Sequence, residues 1–298
     1  MVRFETVLLI GSGGNLGPPA IHALLKSSFE VTVLSRQEST PKVLEGVPVV
    51  RADYNDPDSL ISAMQGHDVV ISMVGGHVAG DQNKFIDAAL AAGVKRFVPS
   101  EFGPFSRDPK FAELNPVVLP AKAGTVDYLR SKESKMSWSS LVTGAWFDWS
   151  MKVGFFGFEL ASKSVTLIDD GTSVFTATTL STVGKALASM LENPDETENK
   201  HVFVSSFNVS QQDILEVVEK VDGQKWTLTH TTSEEVIANG RKRLASGDFA
   251  GIMDLTRGGA FGKPGLGDSR QHGQLWNDRM GLPKENIESA VRDVLQGA

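Results

Sequence analysis

The stretch Thr6-Val-Leu-Leu-Ile-Gly-Ser-Gly-Gly-Asn-Leu-Gly17 decides the fold. Its first five residues predict a buried strand, and glycines at positions 11, 14 and 17 follow directly. Glycines with this spacing permit a tight turn, close approach of the backbone to a pyrophosphate, and close packing of a helix on a strand. The helix predicted next would add unpaired N–H donors and the positive end of its dipole. The stretch therefore predicts the opening strand, loop and helix of a dinucleotide-binding fold.

Short β-branched apolar runs alternate with segments of helical spacing through the first half of the chain. After the first strand, we predict strands at residues 30–34, 49–52, 69–73, 96–99 and 139–143. Helices are predicted between them, at residues 16–26, 57–64, 81–92 and 121–132. Continuous apolar strands separated by helices indicate a parallel sheet that is covered on both faces. The predicted fold class is therefore α/β, with a doubly wound Rossmann sheet.

The second half of the chain has a less regular pattern. We predict strands at residues 164–168 and 201–205, and helices at residues 180–191, 211–221, 233–245 and 284–295. The glycine-rich segment 258–273 is predicted to be a long loop that shapes a binding site. A division near residue 150 gives a dinucleotide-binding Rossmann domain at 1–150 and a smaller α/β substrate domain at 151–298. Elements of the second segment could return to the first sheet.

Bulk composition excludes several functional classes. The 298 residues carry a net charge of −7, which argues against a nucleic-acid surface. There is no cysteine, so disulfides, thiolate metal sites and cysteine nucleophiles are absent, and we expect no metal. No window approaches the ~18 uninterrupted apolar residues that a membrane span requires. These features predict a soluble cytoplasmic protein that binds neither nucleic acid nor membrane.

The end of the second predicted strand indicates which dinucleotide binds. An acidic side chain at this position would accept hydrogen bonds from a ribose 2′-hydroxyl, but this sequence has Arg36. The planar cationic guanidinium suits a 2′-phosphate, and Lys42 could add a second positive charge. The alternative is that Arg36 is a solvated surface residue. We predict NADPH as the cofactor.

Three further segments carry a family resemblance: Ile71-Ser-Met-Val-Gly-Gly76, Asp81-Gln-Asn-Lys-Phe-Ile-Asp-Ala-Ala89 and Ala92-Gly-Val-Lys-Arg-Phe-Val-Pro-Ser-Glu-Phe-Gly103. They resemble the corresponding regions of isoflavone reductases, phenylcoumaran benzylic ether reductases and pinoresinol-lariciresinol reductases. These enzymes belong to the NmrA-like atypical short-chain dehydrogenases. The resemblance covers the first 150 residues well and the remainder in outline. Asp127-Tyr-Leu129 and Trp146-Phe-Asp-Trp149 look more like fungal members than plant members.

The resemblance implies a set of cofactor contacts. The pyrophosphate would be held by Gly11, Ser12, Gly13, Gly14, Asn15 and Leu16. Arg36 would bind the 2′-phosphate. The middle of the cofactor would be lined by Val74, Gly75 and Gly76, with Gln82 nearby. Ser100, Glu101 and Phe102 would lie near the nicotinamide, although Glu101 and Phe102 could instead anchor their loop.

Two candidates for the acid/base group lie on one predicted helix. The family resemblance implies that Lys122 is the catalytic lysine, and burial near a helix N-terminus would lower its pKa toward a useful value. The rival is the Tyr128 and Lys132 pair, which has the Tyr-x-x-x-Lys spacing of ordinary short-chain dehydrogenases, with Ser100 completing the set. Lys122 and Tyr128 are about 240° apart around a helix, so only one can face the nicotinamide. The alternative is that none of these residues is catalytic: both lysines are solvated, and the tyrosine packs against its neighbours.

A cluster of aromatic residues follows the strand predicted at 139–143. The members predicted to line a substrate pocket are Trp146, Phe147, Trp149, Phe155 and Phe156. Aromatic density beyond the carboxyl end of a sheet suits a flat, apolar substrate, although any single member could be core. His272 is a further candidate pocket residue, with a plain surface position as its alternative.

Three functions remain open at this point. The first is an NADPH-dependent reductase of secondary metabolism, which transfers hydride to an aromatic or conjugated small molecule with Lys122 as general acid/base. The second is a non-catalytic, NADP(H)-sensing regulator of the NmrA type. The third is redox-neutral chemistry on the same scaffold. Lys122 and the aromatic cluster favour the reductase, since a regulator needs neither.

Overall fold

The computed structural model describes residues 3–39 and 44–297. We number its strands β1 Thr6–Ile10, β2 Glu30–Arg36, β3 Val49–Ala52, β4 Val69–Ser72, β5 Arg96–Val98, β6 Ser137–Val142, β7 Ala145–Trp146, β8 Phe158–Glu159, β9 Ser164–Ile168, β10 Phe175–Thr178, β11 Lys200–Phe203, β12 Phe207–Val209 and β13 Thr227–Thr231. The predicted strands of the first half are all present.

The helices alternate with these strands through the first half and dominate the last third. They are α1 Gly17–Lys26, α2 Pro57–Met64, α3 Asn83–Ala91, α4 Pro109–Leu114, α5 Val118–Arg130, α6 Phe147–Lys152, α7 Leu180–Glu192, α8 Pro194–Thr197, α9 Gln211–Asp222, α10 Ser233–Ala245, α11 Gly251–Phe261 and α12 Ile287–Gln296. Single turns of 3-10 helix lie at Ser269–Gln271 and, in a longer kinked form, at Gly76–Gln82. Within the described ranges, no helix is long and apolar enough to cross a membrane.

The main sheet has seven strands in the order β11-β6-β5-β4-β1-β2-β3, and every neighbouring pair is parallel. The order 3-2-1-4-5-6 is that of the doubly wound dinucleotide-binding fold. The predicted Rossmann fold class is therefore confirmed. Strand β11 comes from the second half of the chain and extends the sheet beyond β6, so that half does return an element to the first sheet. The domain division at residue 150 stays a prediction.

Alternating strand residues build a core on each face of the main sheet. Val7 and Leu9 of β1 pack with α1 and α7 on one face. Leu8 and Ile10 pack with α2, α3 and α5 on the other. Successive side chains of a strand point to opposite faces, so a strand buried on both sides is apolar throughout. This explains the continuous apolar run in β1.

The second half builds two small sheets around a third, phenylalanine-rich core. One sheet has the order β12-β10-β7 and the other has the order β13-β9-β8. Strand β7 follows β6 after only two residues, so the first small sheet begins at the carboxyl edge of the main sheet. This continuity places the phenylalanine-rich core beside the loops that leave the main sheet.

One prediction for this half is wrong. The glycine-rich segment 258–273 is not a loop throughout, because its first four residues complete α11. Helices α10 and α11 pack closely: a Cβ on Gly240 would lie 2.8 Å from the carbonyl oxygen of Gly251. Likewise, a Cβ on Gly258 would lie 2.6 Å from the Ile237 side chain. Gly240 and Gly258 therefore serve close packing of α10 against α11.

Helix α7 packs against the backbone of α1 through Gly184. A Cβ on Gly184 would lie 2.4 Å from the carbonyl oxygen of Pro19, and that backbone oxygen cannot move aside without shifting α1. A contact this close requires glycine. It ties the second half of the chain to the helix that follows the glycine-rich loop.

We expect Gly184→Ala to lower the free energy of unfolding by about 1–3 kcal/mol, the usual cost of overpacking a core. The matched control is Gly124→Ala in α5, where an added Cβ meets nothing within 4 Å. That control should be neutral or stabilising by up to about 1 kcal/mol, because alanine has the higher helix propensity. Denaturant unfolding of both variants measures the difference. Equal stability of the two variants would contradict the packing argument.

Candidate active site

A cleft of about 840 Å³ runs along the carboxyl edge of the main sheet. Its walls come from the loops that follow β1, β2, β3, β4 and β5. Ligands of doubly wound sheets bind at this edge, where the strand order reverses between β1 and β4. The cleft is therefore the natural position for a bound dinucleotide.

The glycine-rich loop has the geometry of an anion cradle. Gly11 has φ +79°, and a Cβ there would lie 2.7 Å from the carbonyl oxygen of Met73. A Cβ on Gly17 would lie 1.7 Å from the carbonyl oxygen of Ser12, so this residue must also be glycine. The backbone N–H groups of Ser12, Gly13, Asn15 and Leu16 have no hydrogen-bond acceptor among the described residues. These donors lie in the loop immediately before α1 and fit a pyrophosphate.

The far end of the cleft carries a positive charge. Arg36, at the end of β2, is exposed on the wall beside Tyr54 and Asn55. Arg51 donates hydrogen bonds to the carbonyl oxygens of Gln37, at 3.0 Å, and Ser39, at 2.5 Å, which fixes the turn after Arg36. This end suits a phosphate. Lys42, the second predicted cation, lies outside the described residues.

The middle of the cleft is shaped by the loops after β4 and β5. Val74, Gly75 and Gly76 lie on its wall, as does Ser100, whose hydroxyl donates to the Val74 carbonyl oxygen at 2.7 Å. Gln82 does not reach the wall: it is fully buried, and its Oε1 accepts from the Ser100 N–H at 2.9 Å. Gln82 therefore holds the two loops together from behind the wall, and its place among the cofactor-binding residues stays a prediction.

Glu101 is buried directly behind the cleft, with only 1% of its surface exposed. The hydroxyl of Ser106 donates to its Oε2 at 2.7 Å, and Oε1 has no partner among the described residues. Burial raises the pKa of this carboxyl, while the nearby positive charge of Lys122 opposes the rise. Phe102, the next residue, has φ +23° and lies on the walls of both this cleft and a smaller cavity described below.

Lys122, in the first turns of α5, is half-buried and lies on the walls of both the cleft and the smaller cavity. Its Nζ donates to the carbonyl oxygen of Glu101 at 2.5 Å. Burial lowers the pKa of Lys122, and the Glu101 carboxylate opposes that shift. A lowered pKa makes the lysine ammonium a better proton donor, which suits a general acid/base.

The rival pair lies elsewhere on α5. The Tyr128 hydroxyl donates to Asp87 Oδ1 at 2.6 Å, and this hydrogen bond raises the pKa of the phenol. The Nζ of Lys132 lies 4.8 Å from the Tyr128 ring centroid, so the pair makes a cation–π contact. Neither residue lines the cleft or the smaller cavity. The structure therefore contradicts the alternative in which Tyr128 and Lys132 face the nicotinamide.

The smaller cavity, about 210 Å³, adjoins the cleft and is lined mostly by apolar side chains. Trp146, Trp149 and Phe155 lie on its wall, as predicted from the aromatic cluster. Phe147 and Phe156 do not, so their predicted role as pocket residues is wrong. Both are fully buried in the phenylalanine-rich core, with ring centroids 5.0 Å from Phe207 and Phe175 respectively.

Several wall residues were missed from the sequence. On the cleft they are Tyr54, Asn55, His77 and Lys84; on the smaller cavity they are Phe111, Phe175, Thr256 and Phe261. Tyr54 and Asn55 follow the carboxyl end of β3, a position that could have identified them. The residues of the smaller cavity are far apart in the sequence, and only tertiary packing brings them to its wall: Phe111, Phe175, Thr256 and Phe261. His272 lies off both walls and contacts Asp108, with Nε2 and Oδ2 3.1 Å apart.

Comparison with known proteins agrees with this geometry. The NmrA-like family model matches residues 4–246. The chain is 33% identical over 294 residues to oxidoreductase aprR of Aspergillus flavus, covering 98% of this chain and 99% of that protein. A solved structure of leucoanthocyanidin reductase with NADPH from Vitis vinifera has a TM-score of 0.80 at 18% identity, covering 98% and 100% of the two chains. AtPrR2 with NADP⁺ and (+)-pinoresinol has a TM-score of 0.79 at 21% identity, covering 99% of each.

The chain belongs to the NmrA-like family, and it is an oxidoreductase. The family resemblance that the motifs around residues 71–103 indicate is thereby confirmed.

The contact between Lys122 and Glu101 yields a test that needs no substrate. In Glu101→Gln the side chain keeps its shape and its Ser106 contact but loses its charge. Lys122 should then lose the stabilisation of its charged form, so its pKa should fall further. Acetic anhydride labelling of Lys122 across pH, read by peptide mass spectrometry, measures the midpoint. Lys132 is the internal control. An unchanged Lys122 midpoint would mean that Glu101 carries no charge beside it.

Proposed function

We propose that this oxidoreductase is an NADPH-dependent reductase that transfers hydride to an aromatic or conjugated small molecule. The observation that carries the proposal is the junction between the two cavities. Phe102, Lys122 and Trp146 lie on the walls of both. A cofactor in the cleft and a flat substrate in the smaller cavity would therefore meet beside one amine with a lowered pKa.

The residues of the cleft fit NADPH. The free N–H groups of the glycine-rich loop would hold the pyrophosphate, and Arg36 would bind the 2′-phosphate through its planar fork. Gly75 and Gly76 leave room for the middle of the molecule. When bound there, the cofactor supplies the hydride. AtPrR2 and leucoanthocyanidin reductase, which share the fold, bind NADP⁺ and NADPH in the solved structures.

Lys122 would donate the proton that the substrate takes up. Its ammonium form can donate from Nζ to the substrate atom that gains electron density, and its amine form can recover a proton from solvent. The Glu101 carbonyl oxygen orients Nζ toward the junction. A substrate that fills the smaller cavity would displace water from its aromatic wall, which would strengthen the interaction between the ammonium and a developing negative charge.

A non-catalytic regulator is the second candidate, since it would use the same cleft. A regulator has no use for an apolar cavity that opens beside the half-buried amine of Lys122. The position of Lys122 therefore favours the reductase over the regulator. Redox-neutral chemistry would leave the hydride of the cofactor unused, and no feature of the described residues favours it.

Arg36→Asp tests the choice of cofactor. Loss of the charge-assisted contacts to the 2′-phosphate should weaken NADPH binding by about 10–100-fold. NADH affinity should change little, because NADH lacks that phosphate. Fluorescence titration with each cofactor measures both affinities. A wild-type protein that prefers NADH would contradict the assignment of Arg36.

Lys122→Ala tests the chemistry. Turnover of NADPH with phenolic and quinone-like acceptors, followed by loss of nicotinamide absorbance, should fall by about 10²–10⁴-fold. NADPH affinity should stay within a few-fold, because the groups proposed to hold the pyrophosphate and the 2′-phosphate lie in the glycine-rich loop and at Arg36. Tyr128→Phe is the matched control and should keep most activity. Absence of turnover over a broad panel, with strong discrimination between NADP⁺ and NADPH in binding, would favour the regulator.

A further inference from the structure

The smaller cavity is too small for a ligand with several separate rings. Its volume is about 210 Å³. Pockets that enclose drug-sized ligands measure about 300–1,000 Å³, and an apolar cavity of about 150 Å³ holds one benzene molecule. The smaller cavity therefore has room for one ring with a small substituent, or for two fused rings.

Five aromatic residues form one continuous wall of this cavity. Each ring contacts the next in the order Trp146, Trp149, Phe155, Phe261 and Phe175, with distances between ring centroids of 6.1, 6.0, 5.4 and 4.4 Å. Among the described residues that line the cavity, only Lys122 is ionisable. Binding in this cavity therefore depends mainly on contact with aromatic rings.

The two ends of the aromatic wall differ in their access to solvent. Phe261 and Phe175 are each 1% exposed, so the cavity is closed at their end. Trp146 and Trp149, at the other end, are half-buried. Trp146 also lines the cleft, so a ligand that extended past it would enter the space proposed for the cofactor. A larger ligand would have to extend toward solvent, past the residues that line the smaller cavity alone.

Four half-buried residues line the smaller cavity and not the cleft: Pro104, Ala145, Trp149 and Thr256. Trp149 has the largest side chain of the four. Its indole packs between the rings of Trp146 and Phe155, at centroid distances of 6.1 and 6.0 Å, which restricts its movement. Trp149 is therefore the residue that most strongly limits the space on the solvent side.

We propose that the substrate carries one flat ring system, either a single substituted ring or two fused rings, and that Trp149 sets this limit on its size. The indole of Trp149 would stop a second, separate ring from entering the cavity. An indole is larger than a benzene ring, so its removal would leave room for one. The inference rests on the proposed function, because it takes the smaller cavity as the substrate site and the cleft as the cofactor site.

Two probes that differ by one ring test this limit: 2-naphthol, which has two fused rings, and 6-phenyl-2-naphthol, which carries a further, separate ring. Binding to the whole protein saturated with NADP⁺, which has no hydride to transfer, is measured by the fluorescence anisotropy of each naphthol. The variants are Trp149→Ala and the milder Trp149→Leu. Trp276→Ala is the matched control, because Trp276 is also half-buried but lines neither cavity. Thermal unfolding and NADP⁺ affinity show whether each variant is folded.

The ratio of the two affinities is the readout. The wild type should bind 2-naphthol at least about tenfold more tightly than 6-phenyl-2-naphthol, because the added ring cannot be buried. In Trp149→Ala the larger probe should bind at least as tightly as 2-naphthol, and Trp149→Leu should be intermediate. Trp276→Ala should keep the wild-type ratio.

Four results overturn the inference: equal binding of both probes by the wild type, no binding of 2-naphthol by the wild type, a wild-type ratio in the folded Trp149 variants, or the same change of ratio in Trp276→Ala. This binding test is separable from the test of the proposed function. If the acceptor screen shows no hydride transfer but Trp149→Ala admits the larger probe, the size limit stands and the reductase fails. If turnover depends on Lys122 but the ratio does not respond to Trp149, the reductase stands and the size limit fails.

Discussion

Parallel strand pairing places the carboxyl ends of all seven main-sheet strands at one edge, and the site is built from this constraint. Each strand ends where a loop must turn toward a helix, so the loops after β1, β2, β4 and β5 meet in one cleft without long excursions of the chain. The short β7 then starts a second sheet immediately after β6. As a result, the aromatic cavity opens onto the cleft where the Lys122 and Glu101 contact lies.

The local sequence was sufficient to predict those parts of the site that the backbone conformation determines. Gly11 and Gly17 are required by contacts with Met73 and Ser12, and such contacts follow from a strand–loop–helix motif that is visible in the sequence. Lys122 could likewise be identified from its neighbourhood. Rotation around α5 directs Tyr128 away from the cleft and toward Asp87 on the neighbouring α3.

Tertiary packing determines the features of the site that the sequence could not predict. Phe147 and Phe155 have the same chemistry and similar positions in the aromatic cluster, yet one is core and the other lines the cavity. Phe147 of α6 packs on Phe207 of β12, whereas Phe155 lies beyond the end of α6 and packs on Phe261 of α11. Gly258 illustrates the same limit, because its missing side chain accommodates Ile237 from another helix. Composition cannot separate a glycine that permits a turn from a glycine that permits a close helix crossing.

Strand β11 has a consequence for how the chain is synthesised and refolded. It pairs with β6 along Lys200–Phe203, whereas β6 itself ends at Val142. More than fifty residues are therefore made between β6 and its partner, and until then the apolar edge of β6 has unpaired N–H and C=O groups. An open edge of this kind can pair with another chain and aggregate. The nascent protein thus needs residues 200–203 to complete its own sheet. Before they are synthesised it is prone to aggregate through the open edge of β6, which is covered in the folded protein.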